Sequence, residues 1–203
     1  MSDAEQALGI DSINSVKNYV QMPLLYNHWY VAGVVNEFGR EPIARTLLEH
    51  SIVFYRTEAG ELTALQNRCL HRSFPLSEAR KDGDNLVCRY HGARYSPDGT
   101  LLNIPCQKAT PDRSLRRYPL REQGPFVFIW MGDADKADPA LAFEMPELGQ
   151  DGWHLHHGDK LHIRANYLNV AENLVDPAHV SFVHPTTLGN AASENVPVHV
   201  KTS

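Results

Sequence analysis

Two short stretches decide the fold: Arg68-Cys69-Leu70-His71-Arg72 and Cys88-Arg89-Tyr90-His91-Gly92. They form a C-x-H pair and a C-x-x-H pair, and sixteen residues separate the two pairs. Two thiolates can hold one iron of a two-iron, two-sulfur (2Fe-2S) cluster while two imidazoles hold the other iron. Loops suit such a cluster because their backbone N–H groups can point at the sulfurs, and a glycine permits a close approach. We therefore predict that a 2Fe-2S cluster, which transfers single electrons, is bound by Cys69, His71, Cys88 and His91.

The same four side chains also fit a structural zinc site, because two cysteines and two histidines make a tetrahedral zinc set. Ligands as close as Cys69 and His71 suit two irons better than one small ion. The alternative is a zinc-stabilised interaction module, which would be colourless where a cluster is red-brown. Cys106 lies outside both pairs and is interpreted as a structural, buried thiol.

A second motif has the pattern N-x-x-D-x-x-H-x-x-x-x-H and consists of Asn173, Asp176, His179 and His184. Two imidazoles and a carboxylate on one face of a ferrous ion leave other positions open for oxygen and substrate. The motif therefore predicts a mononuclear iron site. The alternative is that both histidines are ordinary residues of a buried helix.

The helical pattern around this motif, Leu168 to Val183, is interrupted by Pro177 and followed by Pro185. On an unbroken helix, five residues at 100° each would place the rings of His179 and His184 about 140° apart. Prolines disrupt or end a regular helix. We therefore expect the backbone to deviate so that the two rings converge.

Together the motifs resemble those of the Rieske non-haem iron ring-hydroxylating oxygenases, in their large (alpha) subunit. Membrane-anchored respiratory Rieske proteins usually add a cysteine to each loop, whereas position 90 is Tyr here. The resemblance implies that His179 and His184 bind mononuclear Fe(II) and that Asn173 lies near the iron. It also implies that Asp176 hydrogen-bonds both to an iron-bound histidine and to a cluster histidine of the neighbouring subunit.

The resemblance implies an oxidoreductase that hydroxylates or demethylates a small aromatic or apolar substrate, as a monooxygenase or dioxygenase. The 2Fe-2S cluster would pass electrons to the mononuclear iron, which activates O2. No G-x-G-x-x-G fingerprint occurs, so a reductase, a ferredoxin or both must supply the electrons. A homotrimer is also implied. The main alternative is a soluble Rieske ferredoxin-type electron carrier without its own oxygenase site.

The predicted fold class is mainly β for a Rieske domain over residues 28–134, which would form a small antiparallel barrel or sandwich. The start of an α+β catalytic domain is predicted to follow over residues 135–203. A lead segment, residues 1–27, precedes them. Ser96-Pro97-Asp98-Gly99 predicts a hairpin, and Trp153 to Tyr167 alternates loosely as a strand would. Runs rich in β-branched and aromatic residues predict further strands: Trp29 to Val35, Ile52 to Arg56, Leu62 to Gln66, Leu86 to Cys88 and Phe126 to Met131.

Composition narrows the class of protein. The 19 basic and 24 acidic residues give a net charge of −5, which disfavours nucleic acid as a partner. The polar, acidic start Met1-Ser2-Asp3-Ala4-Glu5 does not fit a secretory signal, and the apolar run Phe126 to Met131 is far shorter than the roughly 20 residues of a membrane span. Three cysteines do not make a disulfide scaffold, so we expect a cytoplasmic protein.

The mononuclear iron site needs a carboxylate as its third protein ligand, and the resemblance implies that this carboxylate comes from a helix far downstream of His184. Glu172 and Glu194 are near in sequence, but neither occupies the family's position, so the third ligand is expected beyond Ser203. The sequence is accordingly expected to represent the N-terminal part of a longer large subunit. The remaining histidines of the alternating segment are interpreted as structural or exposed: His154, His156, His157 and His162.

Overall fold

A computed structural model describes residues 24–105, 107–156, 161–190, 192 and 197. Of these, residues 24–155 belong to one compact unit, here called the β unit, and residues 156 and 161–190 belong to a second, here called the helical unit. Cys106, His157 and Glu194 lie outside the described residues. No helix within the described residues is long and apolar enough to cross a membrane.

The described part of the β unit holds ten strands in three antiparallel sheets, ordered β1-β10-β9, β2-β3-β4 and β5-β6-β7-β8. Short 3-10 helices connect them at Val35–Glu37, Leu76–Glu78, Ala134–Lys136 and Pro139–Leu141. The antiparallel β class predicted for this region is confirmed. The strands are β1 His28–Val34, β2 Ile43–Leu47, β3 His50–Arg56, β4 Leu62–Gln66, β5 Arg80–Asp82, β6 Asn85–Val87, β7 Arg94–Tyr95, β8 Leu101–Asn103, β9 Leu120–Gln123 and β10 Phe126–Met131.

Strand β3 is buried on both faces, because Ile52-Val53-Phe54-Tyr55 is an unbroken apolar run. Successive side chains of a strand point to opposite faces. Val53 and Tyr55 therefore pack in a first core, which also holds both cysteines of the predicted cluster site. Ile52 and Phe54 pack in a second core with residues of β1 and β10. The sheet that carries β3 thus separates two cores, and the first of them underlies the cluster site.

The hairpin predicted at residues 96–99 is confirmed and joins β7 to β8. Ser96 donates its N–H to the Thr100 carbonyl at 3.0 Å, and Gly99 has a φ of +92°. A side chain at Gly99 would place its Cβ 2.8 Å from the Leu115 carbonyl oxygen. Position 99 therefore requires glycine both for its backbone angle and for this close approach.

The segment after β10, residues 132–146, is rich in Asp, Ala and Pro, a composition that predicts a linker, and it contacts the sheet of β1, β10 and β9. The indole N–H of Trp29 donates to the Asp138 carbonyl at 2.8 Å, and Arg121 donates to the Pro139 carbonyl. These contacts hold the segment after β10 against the β unit. The domain limits at residues 27 and 134 remain predictions.

The helical unit contains α1, Tyr167–Val175, and α2, His179–Val183. Asn166 caps α1, since its side-chain oxygen accepts from the Leu168 N–H at 3.0 Å. The helix predicted over 168–183 with a break at Pro177 is confirmed, because α1 ends one residue before Asp176 and α2 starts two residues after Pro177.

The strand predicted from Trp153 to Tyr167 is wrong for the described residues, since 153–156 and 161–166 contain no strand. A strand forms only when a neighbouring strand satisfies its backbone groups. Leu161 is 81% exposed, and no described strand pairs with this segment. His154, His156 and His162 are exposed, as expected.

Candidate metal centres

The two Cys-His stretches form loops with the same backbone hydrogen bonds. In each loop the backbone N–H of the cysteine donates to the carbonyl of the residue five positions later. The carbonyl of the cysteine in turn accepts from the N–H of the residue four positions later. All four hydrogen bonds are 2.8–2.9 Å long. The residue four positions after the cysteine has a left-handed backbone: Ser73 with φ +57° and Gly92 with φ +73°. The loop placement predicted for both pairs is therefore confirmed.

The four predicted cluster ligands lie in two close pairs of like residues. Cys69 and Cys88 are free thiols, each 2% exposed, in the first core. The rings of His71 and His91 have centroids 4.6 Å apart and an interplanar angle of 73°. The Nδ1 atoms of both rings are buried and have no hydrogen-bond partner among the described residues. Because buried polar atoms are nearly always satisfied, these two nitrogens are suited to bind a group such as a metal.

A tyrosine that the sequence analysis did not single out contacts the first cysteine. The Tyr95 hydroxyl oxygen lies 3.2 Å from Cys69 Sγ and accepts a hydrogen bond from the Leu70 N–H at 2.9 Å. Burial, reinforced by the Cys69 sulfur, holds the pKa of Tyr95 well above its ordinary value. The hydroxyl therefore keeps its proton and can donate it to the sulfur of Cys69.

The surroundings of Cys88 act in opposite directions on the pKa of its thiol. Burial raises the pKa of the Cys88 thiol, and the Cys69 sulfur acts in the same direction. The backbone N–H groups of Tyr90 and His91 lower that pKa by hydrogen bonding. Backbone N–H groups thus point at a sulfur, as predicted, and the positive charge of bound iron would complete the deprotonation of the thiol.

Asn67 fixes the start of the first loop and was also missed by the sequence analysis. Its side-chain amide donates to Ser51 Oγ at 3.1 Å and to Ser77 Oγ at 3.2 Å, while its oxygen accepts from the Ser77 N–H at 2.6 Å. The residue is 8% exposed. Two of its three bonds join the end of β4 to the short helix Leu76–Glu78, and the third reaches Ser51 of β3, so the loop between β4 and the helix is held at both ends.

The outer surface of the two loops carries an exposed set of residues, here called the cluster rim. Tyr90 is 58% exposed, and its ring centroid lies 4.0 Å from that of His91. Arg68 and Arg89 are exposed although each donates from Nε, to Ser73 Oγ and to the Glu78 carbonyl respectively. The cluster rim consists of Arg68, Arg72, Arg89 and Tyr90, so three of its four exposed side chains carry positive charge.

In the helical unit, the two histidines of the second motif lie together. The ring centroids of His179 and His184 are 5.6 Å apart with an interplanar angle of 70°. His179 begins α2, and His184 leaves the helical conformation with φ −121° and ψ +45° just before Pro185. Because a residue before proline disfavours helical angles, the backbone departs from the regular 100° step there. The expected convergence of the rings is confirmed.

The other two residues of the motif lie beside His179. Asn173 Nδ2 is 3.4 Å from His179 Nε2, and Asp176 Oδ2 is 3.7 Å from His179 Nδ1. That Nδ1 is buried without a hydrogen-bond partner, whereas the Asp176 side chain is 54% exposed. Within the described ranges no group of three or more His, Cys, Asp or Glu side chains is arranged to hold one metal ion.

Comparison with known families gives two matches along the chain. Residues 28–119 match the Rieske 2Fe-2S domain, which includes all four predicted cluster ligands. Residues 163–203 match the vanillate O-demethylase oxygenase C-terminal domain, which includes the second motif.

Two curated relatives show how much of a related protein the chain represents. A putative toluene-4-sulfonate monooxygenase system iron-sulfur subunit of Comamonas testosteroni is 38% identical over 85% of this chain and 50% of its own length. The vanillate O-demethylase oxygenase subunit of a Pseudomonas species is 31% identical over 86% of this chain and 49% of its own length. The chain thus spans about half the length of the curated relatives it matches.

Solved structures show the same partial coverage. A structure of dicamba monooxygenase bound to dicamba matches with a TM-score of 0.73 and 30% identity, over 80% of this chain and 49% of that one. The oxygenase in an oxygenase and ferredoxin complex of carbazole 1,9a-dioxygenase matches with a TM-score of 0.68 and 31% identity, over 79% and 42%.

Proposed function

Since the chain belongs to the family of Rieske ring-hydroxylating oxygenase large subunits, we propose that Cys69 and Cys88 hold one iron of the 2Fe-2S cluster and that His71 and His91 hold the other. The observation that supports this most directly is the pair of buried, unpartnered Nδ1 atoms of His71 and His91 beside two buried thiols. A cluster with two neutral imidazole ligands accepts and releases one electron at a higher potential than an all-cysteine cluster.

The surrounding residues would tune and orient this site. The Tyr95 hydroxyl and the N–H groups of Tyr90 and His91 donate toward the sulfurs, which stabilises the more negative, reduced state. Asn67 holds the first loop in place. The first core beneath the loops keeps water away from the thiolate side, while the histidine side faces the cluster rim.

We further propose that His179 and His184 are two of the ligands of a mononuclear Fe(II). The convergence of their rings supports this assignment. An imidazole that binds iron through one nitrogen can donate a hydrogen bond only from the other. Asp176 would therefore orient the His179 ring through Nδ1 once their separation of 3.7 Å closes to a hydrogen bond, and Nε2, beside which Asn173 lies, would bind the iron. The third, carboxylate ligand is expected from a part of the complete protein beyond Ser203.

The complete protein is proposed to be an oxygenase that hydroxylates or demethylates a small aromatic substrate with O2. Its relatives are named for toluene-4-sulfonate, vanillate and dicamba, which are aromatic compounds. A homotrimer is proposed from the same family likeness.

The electron donor is proposed to be a reductase or a ferredoxin that docks at the cluster rim. Three exposed arginines there, on a chain of net charge −5, favour a donor with an acidic surface. The match to the oxygenase of a complex that contains a ferredoxin is consistent with such a partner. A cytoplasmic location is proposed because three cysteines do not make a disulfide scaffold.

Metal and sulfide analysis of the purified protein tests the cluster assignment. Two irons and two acid-labile sulfides per chain are expected, and Cys88→Ser is expected to lose both, because serine does not supply a thiolate. Cys106→Ser is the matched control and should retain the full content. Stoichiometric zinc without sulfide, or an unchanged iron content in Cys88→Ser, would refute the assignment.

A further inference from the structure

A second feature of the β unit has no part in the proposed electron transfer. It is a groove of about 640 Å³, formed where the residues before β1, the start of β3 and the segments at 116–117 and 132–134 meet. The side chains that characterise it are Tyr26, His50, Arg116, Arg117 and Asp133. We call it the arginine groove.

One of its two arginines is held in place by the fold. The guanidinium carbon of Arg116 lies 4.7 Å from the ring centroid of Tyr118, which is a cation–π contact. Its Nη2 also donates to the carbonyl of Gly132. Because one donor and the face of the guanidinium are already fixed, its other N–H groups can receive a ligand at little cost in conformational freedom.

The positive charge of the arginine groove is not neutralised by the described residues around it. No described carboxylate lies within 4.0 Å of Arg116 or Arg117, whereas Arg56 of β3 pairs with Glu122 at 2.8 Å. The carboxylate that lines the groove, Asp133, is paired with Lys136 at 3.5 Å. The groove therefore has a positive character, opposite to the net charge of −5 of the chain.

Aromatic rings form one side of the arginine groove. The Tyr26 hydroxyl lies 3.3 Å from His50 Nε2, and the two rings meet edge to face with centroids 5.9 Å apart. His50 also contacts the ring of Tyr118, with centroids 6.4 Å apart. Tyr26 nevertheless remains 41% exposed, so a planar ligand can reach its ring.

We propose that the arginine groove binds a small aromatic carboxylate. A carboxylate matches the fork of N–H donors on a guanidinium, and an aromatic ring gains stacking or edge contacts with Tyr26. The groove is broad and open to solvent, so a molecule with a single aromatic ring can enter it without movement of the fold. All residues of the arginine groove belong to the β unit, and none of them is a proposed cluster ligand.

Isothermal titration of the 203-residue protein with benzoate at low ionic strength tests this proposal. The protein is purified anaerobically with its native metal content. Saturable binding of one benzoate per chain is expected, and Arg117→Gln should weaken it at least tenfold. Arg113→Gln is the matched control, because Arg113 is exposed but does not line the groove, and it should change the affinity less than twofold.

Three further titrations test whether the ligand must be aromatic. Inorganic phosphate should bind at least tenfold more weakly than benzoate, since it lacks a ring. Tyr26→Ala should weaken benzoate binding several-fold, whereas Tyr26→Phe, which keeps the ring, should remain within twofold of the original protein. The proposal is overturned if benzoate binding does not saturate, or if Arg117→Gln binds benzoate as tightly as the unmodified chain does. It is also overturned if phosphate binds as tightly as benzoate, or if Tyr26→Ala leaves the benzoate affinity unchanged.

Discussion

The hydroxyl oxygen of Tyr95 lies 3.2 Å from the sulfur of Cys69, and both side chains are buried in the core beneath the two Cys-His loops. The same oxygen accepts from the Leu70 N–H, which leaves its proton directed at the sulfur. A donor aimed at a ligand sulfur stabilises the reduced cluster more than the oxidised one, because the reduced cluster carries more negative charge. The pair Tyr95 and Cys69 therefore links the packing of the core to the proposed redox chemistry.

Replacement of Tyr95 by phenylalanine should lower the reduction potential of the cluster. Loss of a bond worth about 1 kcal/mol more in the reduced state corresponds to a drop on the order of 40 mV for one electron. Protein-film voltammetry or a spectroscopic redox titration measures this. A potential that stays unchanged in Tyr95→Phe would show that the hydroxyl does not act on the cluster.

Tyr55→Phe is the control for that experiment and carries a prediction of its own. The Tyr55 hydroxyl lies in the same core but has no hydrogen-bond partner among the described residues, and burial raises its pKa. Removing an unsatisfied buried hydroxyl should leave the potential unchanged and raise the free energy of unfolding by about 1 kcal/mol. Urea unfolding checks the second point, and a destabilised Tyr55→Phe would contradict it.

Gly92→Ala should destabilise the second loop. The φ of +73° at Gly92 is costly for alanine, and the added Cβ would lie 3.2 Å from Pro105 Cγ. We therefore expect the free energy of unfolding to fall by about 1–2 kcal/mol and the iron content to fall as well. Ser73→Gly is the matched variant, because Ser73 occupies the equivalent position of the first loop with φ +57°. It should retain its iron, and equal iron loss in both variants would count against the assignment of strain to position 92.

Reduction of the cluster by an anionic donor should depend on the charge of the cluster rim. Photoreduced flavin mononucleotide carries a phosphate, so the rate at which it reduces the cluster should fall as ionic strength rises. The same rate should fall several-fold in Arg72→Glu, because the positive charge becomes negative. Reduced riboflavin lacks the phosphate and serves as the control. Stopped-flow absorbance measures both, and an equal slowing with the two flavins would indicate structural damage to the loop rather than a loss of electrostatic attraction.

Iron titration of the 203-residue chain tests the mononuclear site. If His179 and His184 are two of its ligands, as proposed, the described residues still offer no arrangement of three, so we expect weak binding of Fe(II) that His184→Ala weakens further. Extension of the chain to the length of its relatives should produce tight binding. Stoichiometric tight Fe(II) in the 203-residue chain, beyond the two cluster irons, would contradict the expectation that the third ligand lies beyond Ser203.

Local sequence signals were sufficient for the loops and the hairpin. The spacing of Cys69, His71, Cys88 and His91 places two candidate ligands in each loop. Pro97 and Gly99 set a turn within four residues. The break at Pro177 is local in the same sense. Such features depend on backbone angles that individual residues impose, and so they can be predicted from a single sequence.

Features that depend on distant residues could not be predicted in this way. Tyr95 and Cys69 are 26 positions apart and meet because both pack in the first core. The arginine groove likewise requires residues about 90 positions apart, Tyr26 and Arg116, to meet. The strand expected from Trp153 to Tyr167 is wrong for the described residues, because an alternating pattern predicts a strand only where a partner strand is present. Non-local packing decided each of these outcomes.

Electron paramagnetic resonance of the dithionite-reduced protein, prepared anaerobically with its native metal content, tests the central claim most directly. If Cys69 and Cys88 hold one iron while His71 and His91 hold the other, the spectrum shows a rhombic signal whose average g value lies well below that of the free electron. His91→Ala should lose that signal, and Cys106→Ser should keep it. A protein that is colourless and silent in this measurement, or whose signal survives in His91→Ala, would contradict the assignment.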